Sequence, residues 1–122
     1  MKSLKETILE KLKLADLKQH NYNYYPKTKE ELKDLMKQLI KERGNEGDFN
    51  DIDTSEITDM SKLFYNMQHF NGNISNWDVS NVTNMQEMFF DSFIFNQDIS
   101  NWDVSKVTNM ISMFNNCHKF NQ

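Results

Sequence analysis

Cysteine, proline and glycine are nearly missing from this chain. The single cysteine, Cys117, excludes an intrachain disulfide framework. With one proline and three glycines, the turns fall to asparagine, whose side chain bonds nearby backbone and which tolerates left-handed conformations. No apolar run approaches the roughly 18 residues that span a bilayer. Residues 1–20 interleave Lys, Glu and Leu, with neither the apolar core nor the cleavage site of a secretory leader. The expectation is a soluble, unsecreted product without membrane insertion, cytoplasmic more than cell-surface.

What is abundant is large apolar side chains. Nine Phe, eight Met, four Tyr and two Trp argue against disorder, although only 38% of residues are hydrophobic. Charge divides the chain near Gly44. Residues 1–43 carry 11 Lys or Arg against 7 Asp or Glu; residues 44–122 carry 3 against 11, so a basic segment precedes an acidic one. Nucleic acid is not an expected partner of the acidic part, and the interleaved charges of the basic part read as a solvated helix face.

That basic part reads as two helices. Over 3–20, Ser3 and Glu6 form a capping-box pattern, and Leu4, Ile8, Leu12 and Ala15, widened by Leu9, make a packing stripe. Tyr22, Tyr24 and Tyr25 beside Pro26 read as a linker glued to a neighbour by aromatic area. Over 28–43, Thr28 and Glu31 are a second capping box and Leu32, Leu35, Met36, Leu39 and Ile40 an apolar face. Lys41 and Arg43 suit the C-terminal dipole, and Gly44 the C-cap. Residues 1–44 are expected to form a helical cap on the remainder of the chain.

From residue 45 the chain repeats. FNGNISNWDVSNVTNM (70–85) returns as FNQDISNWDVSKVTNM (95–110), and GDFNDIDTSEITDM (47–60) aligns onto 72–85 without gaps. The period of 25 defines units 45–69, 70–94 and 95–119, with Phe120, Asn121 and Gln122 opening a fourth; units two and three share 15 of 25 residues. Positions that stay apolar predict the interior. In the second unit these are Ile74, Trp77, Val79, Val82, Met85, Met88 and Phe89, followed by Phe95. In the third they are Ile99, Trp102, Val104, Val107, Met110, Met113 and Phe114. The W-x-V triplet predicts a short strand in a narrow parallel sheet, and M-x-x-M-F a turn of helix on the opposite wall. The expected fold class is an α/β repeat solenoid of such coils, capped by the N-terminal helices.

Polar positions recur with the same period: Asp53/Asp78/Asp103, Ser55/Ser80/Ser105 and Thr58/Thr83/Thr108. Constant residues of this kind make identical turns, D-x-S being a side-chain-to-backbone turn. The segment DFNDIDTSE (48–56) invites comparison with a calcium loop. Counted from Asp48, however, Ile52 breaks the ligand pattern, and counted from Asp51, Glu56 replaces the glycine. Cys117 and His118 are adjacent and cannot easily serve one substrate atom as nucleophile and base; zinc spacing and phosphate loops are absent. No catalytic residue, cofactor or metal is expected.

The pattern F-N-x-D-I-S-x-W-D-V-S-x-V-T-N-M-x-x-M-F resembles that of BspA-like leucine-rich-repeat proteins, in the variant common in bacterial surface lipoproteins. The resemblance is closest over 70–122, extends through 45–69 and to the helix after Pro26, and does not reach the first helix. Cys117 resembles the family's M-F-x-x-C element, where the earlier units have Ser92 and Met67. The resemblance implies a right-handed leucine-rich-repeat-like solenoid with roles in adhesion and in protein or glycan binding, without enzymatic activity. Short unsecreted relatives encoded by phages would use such a module in a virion.

Two functional expectations result. A non-enzymatic binding module for a protein or glycan would use what differs between units: Asn81/Lys106, Gln86/Ile111, Glu87/Ser112 and loops 90–94 and 115–119. A structural component of a larger assembly, such as a virion, would instead use the C-terminal end, where no cap follows the third unit. Phe114 and Phe120 would then form the interface, covered by self-association or by a partner.

Overall fold

A computed structural model describes residues 3–10 and 22–122. Among these residues there are two helices, α1 (4–10) and α2 (Lys29–Arg43), and no strand. Helix α1 starts as its capping box requires: the Glu6 amide donates to Ser3 Oγ, and the Ser3 amide to the Glu6 carboxylate. Its apolar stripe is exposed, with Leu4 at 77%, Ile8 at 49% and Leu9 at 48%, so the expected packing is not made by these residues. Leu12, Ala15 and the remainder of the expected helix lie outside the described residues.

In α2, Thr28 Oγ1 accepts from the Glu31 amide at 3.2 Å, while the Glu31 carboxylate reaches back one residue further than in a standard capping box, to the Lys27 amide. Gly44, at φ 85°, closes the helix by donating to the Ile40 carbonyl. Leu32, Met36 and Leu39 are buried in the cluster that holds Phe49, Ile52 and Ile57. Helix α2 is thereby part of one core with the repeat units. The tyrosine linker joins the same body: Tyr24 bridges Ile52 in parallel, and the Asn23 amide donates to the Asp51 carbonyl.

The expected α/β solenoid of short parallel strands and helical turns is not what this chain forms. Among the described residues the only β-type pairings are isolated single bridges. Between units these are Asp48↔Asn73, Asp59↔Asn84 and Asn84↔Asn109, and none falls on a W-x-V triplet. The reason is local. In every unit three Asx side chains turn the backbone by accepting from the amide two residues on: Asp48, Asp53 and Asp59, then Asn73, Asp78 and Asn84, then Asp98, Asp103 and Asn109. A bend every five or six residues leaves no run long enough for a strand.

The M-x-x-M-F segment is likewise not helical. It is a chain of turns, Met60 O accepting from Leu63, Lys62 O from Tyr65 and Phe64 O from Met67. Left-handed residues sit at Lys62 and Asn66, and again at Glu87 and Asp91 and at Ser112 and Asn116. Alternate amides point out of the unit to the next one. Met60, Lys62, Phe64 and Asn66 donate to the carbonyls of Asn84, Gln86, Met88 and Phe90 at 2.7–3.0 Å.

Between these walls phenylalanine rings stack. Phe64–Phe70, Phe89–Phe95 and Phe114–Phe120, each pairing a unit with the first residue of the next, stack at 4.1–4.4 Å, and Phe64–Phe89 and Phe89–Phe114, at equivalent positions of successive units, stack at 5.3 and 5.5 Å. The predicted interior residues of the second unit are all buried. In the third unit the prediction needs correction: Val104 is 37% and Met110 44% exposed, while Ile99, Val107 and Phe114 are half-buried. Their counterparts Val79 and Met85 are buried, at 1% and 0%.

Candidate binding surface

The variable residues expected to meet a ligand are drawn together by the period of 25, but mostly into contacts between units. Lys106 Nζ donates to Asn81 Oδ1 at 3.1 Å, and Asn81 Nδ2 to the Ser55 carbonyl at 2.7 Å. Gln86 accepts from Asn109 Nδ2 and donates to Glu87 Oε1. The Glu87 amide donates to the Ile111 carbonyl. The loops 90–94 and 115–119 are joined likewise, through Asn116 Nδ2 to Asp91 Oδ1 and the tilted Phe93–His118 ring pair. The six residues thus form two patches, Asn81 with Lys106 and Gln86, Glu87, Ile111 and Ser112. Of these only the Ile111 side chain is a large exposed apolar group, at 65%.

A different surface emerges on the open side of the third unit. Ile99, Ser100, Phe114, Phe120 and Gln122 line a cleft of about 330 Å³. Phe114 and Phe120 lie in it as an offset-stacked pair, 4.3 Å between centroids. Val104 and Met110 of the same unit are exposed as well. The backbone adds polar groups of both senses: towards the next unit the second unit offers amides and also the carbonyls of Ile74, Thr83 and Phe89. The amides of Met85, Glu87, Phe89 and Asp91 donate to the carbonyls of Asn109, Ile111, Met113 and Asn115. The equivalent amides of Met110, Ser112, Phe114 and Asn116 have no acceptor among the described residues. Four outward N–H groups at alternate positions therefore border an apolar floor. Phe114 and Phe120 were legible in the sequence as interface candidates; the donor row was not, because backbone direction leaves no mark on residue identity.

Three further donor rows tie the units together, and their spacing is 28 or 25 residues. Trp77 Nε1 donates to the Phe49 carbonyl and Trp102 Nε1 to that of Ile74. The Ser92 hydroxyl and the Cys117 thiol donate to the carbonyls of Phe64 and Phe89. The amides of Asn96 and Asn121 donate to the side chains of Asn71 and Asn96. Burial pushes the Cys117 thiol above its ordinary pKa, which keeps it protonated as a donor.

The acid-rich segment is also structurally engaged. Arg43 grips Asp51 with both guanidinium nitrogens, at 2.7 and 2.9 Å, and Asn23 Nδ2 adds a third bond at 2.8 Å. The Arg43 hydrogen bonds, against the opposing effect of burial, hold the Asp51 carboxyl at a pKa of about 2. Among the described residues no group of three or more His, Cys, Asp or Glu could hold a metal ion. Likewise, no described helix is long and apolar enough to cross a membrane.

Compared with known proteins, residues 32–122 match the family described as "Mycoplasma protein of unknown function, DUF285", a family related to BspA-like repeat proteins. Neither a curated protein nor a solved structure matches the chain.

Proposed function

The chain belongs to the DUF285 family, and from that premise we propose that it is a non-enzymatic, BspA-like binding module that recognises a protein through the open side of its third unit. The observation that carries this reading is the combination at 95–122 of an apolar cleft with a row of outward amides. An exposed apolar surface rimmed by polar groups is the signature of an interaction site. A glycan would need side-chain donors and acceptors converging on the cleft, whereas Ile99, Phe114 and Phe120 offer it mainly apolar area. A protein is therefore favoured over a glycan.

The same surface supports the second reading, a structural component of an assembly such as a virion, since a partner seated there would make a permanent contact. Pull-down from the source cells or particles with the native chain, and with Phe114→Asp plus Phe120→Asp, tests the proposal. Loss of the captured protein with a folded double variant is the expected result. Undiminished capture would place binding elsewhere, on the patches at Asn81/Lys106 or Gln86/Ile111.

A further inference from the structure

Asn71 is the one asparagine of the chain that is followed by a glycine. Glycine gives its own amide nitrogen the least steric cover, so that nitrogen reaches the preceding side-chain carbonyl most readily in this dipeptide. We infer that Asn71 is a modification site: it deamidates when the junction between the second and third units opens, and the isoaspartate formed keeps that part of the stack from closing again. The step needs only water. The Gly72 nitrogen, its proton passed to solvent, attacks Asn71 Cγ; the Cγ–Nδ2 bond breaks and Nδ2 departs as ammonia. Water then opens the resulting succinimide at either carbonyl, giving aspartate or isoaspartate.

In the closed structure the attack is held back. Asn71 Oδ1 accepts from the Asn96 amide at 2.9 Å and from Gln97 Nε2 at 3.2 Å, and Gln97 Nε2 also donates to the Asn71 main-chain carbonyl at 2.9 Å. Both carbonyls of Asn71 are thus fastened to the third unit. Closing the succinimide ring turns the side chain and carries Oδ1 off its two donors, so the junction must open first. The Gly72 nitrogen donates to no acceptor among the described residues, and no bond of its own restrains it once that has happened. Asn96 repeats the arrangement, accepting from the Asn121 amide and Gln122 Nε2, but a glutamine follows it and shields the nitrogen.

The product does not fit back. Isoaspartate routes the main chain through Cγ and adds one carbon, about 1.5 Å, between Asn71 and Gly72. The amides of Asn71 and Asn73 donate to the carbonyls of Asn45 and Gly47 in the first unit, both at 2.9 Å, and the added carbon takes this pair out of register. Gly72 cannot absorb the extra length. It is buried against Phe49 and Phe70 so tightly that a Cβ would overlap both rings.

The full chain and a peptide of residues 68–76 are kept at neutral pH, and deamidation is followed by mass spectrometry with isoaspartyl methyltransferase labelling. The expected rate at Asn71 is lower in the folded chain than in the peptide by on the order of 10-fold or more, because reaction is confined to the open population. Urea below the unfolding midpoint should raise it several-fold, and so should Gln97→Ala, with circular dichroism verifying the fold; should that variant not fold, the urea series on the parent decides. Asn96 should stay unmodified throughout. The isoaspartate form, isolated by chromatography, should lose amide-exchange protection at Asn71 and Asn73, where the aspartate form keeps it. A folded-chain rate equal to the peptide's overturns the inference, and a faster one would mean that the two donors activate the carbonyl instead of restraining it. A rate that rises only with global unfolding, a folded Gln97→Ala variant at the parent's rate, or protection retained by the isoaspartate form overturns it as well.

Discussion

The Cys117 thiol donates to the carbonyl of Phe89 at 2.7 Å, one unit beyond the place where the Ser92 hydroxyl does the same for Phe64 at 2.6 Å. The two side chains do one job, adding a second donor from the next unit to a carbonyl that already accepts a turn amide, Met67 on Phe64 and Ser92 on Phe89. Cys117 is therefore a structural donor, and its raised pKa opposes thiolate chemistry.

Cys117→Ser should accordingly be tolerated, within about 0.5 kcal/mol of the parent in urea unfolding. Ser92→Ala, which removes a side-chain donor from the buried Phe64 carbonyl but leaves the Met67 amide on it, should cost about 1 kcal/mol. Alkylation of Cys117 in the folded protein should be slow at neutral pH and should accelerate on unfolding. Rapid native alkylation, or a Cys117→Ser cost as large as that of Ser92→Ala, would contradict the assignment.

Acid should loosen the junction between α2 and the first unit. The folded Asp51 pKa of about 2 lies below the ordinary value of 3.8, so the pair stabilises the protein fully above the unfolded pKa. That stability is lost as pH falls from about 5 towards 2. Asp51 still reaches solvent, its side chain being 22% exposed, so the contribution is discounted to about 1–2 kcal/mol. Asp51→Asn should flatten the stability curve below pH 5 relative to the parent. An unchanged acid limb would show that the Arg43 contact is energetically silent.

Strain predicts a gain rather than a loss at Glu87, a non-glycine residue at φ 52°. Left-handed backbone costs a side chain with a Cβ on the order of 1 kcal/mol. Glu87→Gly should therefore be neutral or stabilising by up to about 1 kcal/mol, and Glu87→Val destabilising by about 1–2 kcal/mol. Thermal unfolding of the two variants against the parent measures this directly. The neighbouring left-handed position uses Asn66, Asp91 and Asn116, residue types that tolerate it, so the same substitutions should matter less there.

Much of this architecture was legible in the sequence because period and residue type carry it. The 25-residue repeat, the Thr28 and Gly44 caps, the buried Ile74, Trp77 and Phe89, and the Asx turns at Asp53, Asp78 and Asp103 all follow from identity and spacing. The strands did not follow. I-x-x-W-x-V looks extended, yet the Asx acceptors just before it and inside it, Asn73 and Asp78, curve the chain before a ladder can form. The helical turn failed for a related reason. M-x-x-M-F has helical spacing of apolar residues, but Lys62, Glu87 and Ser112 sit in left-handed backbone that no residue-type preference announces. At the candidate surface, Phe114 and Phe120 were visible as apolar residues near the end of the sequence. The donor row depends on which way each amide points, and only the folded backbone fixes that.

Identical residues in successive units provide the last test. Val79 is 1% exposed because the third unit covers it, whereas Val104, its counterpart 25 residues on, is 37% exposed. Val79→Ala should cost about 2 kcal/mol, combining lost burial with a residual cavity, while Val104→Ala should cost less than about 1 kcal/mol. Adding a partner that covers the open side removes the distinction, since Val104 then becomes the buried member of an equivalent contact. In the complex, Val104→Ala should weaken binding by about 3- to 10-fold, the equivalent of the missing methyl burial. Equal costs for the two substitutions in the free protein would mean that the third unit is already covered in solution, and sedimentation would then reveal the association.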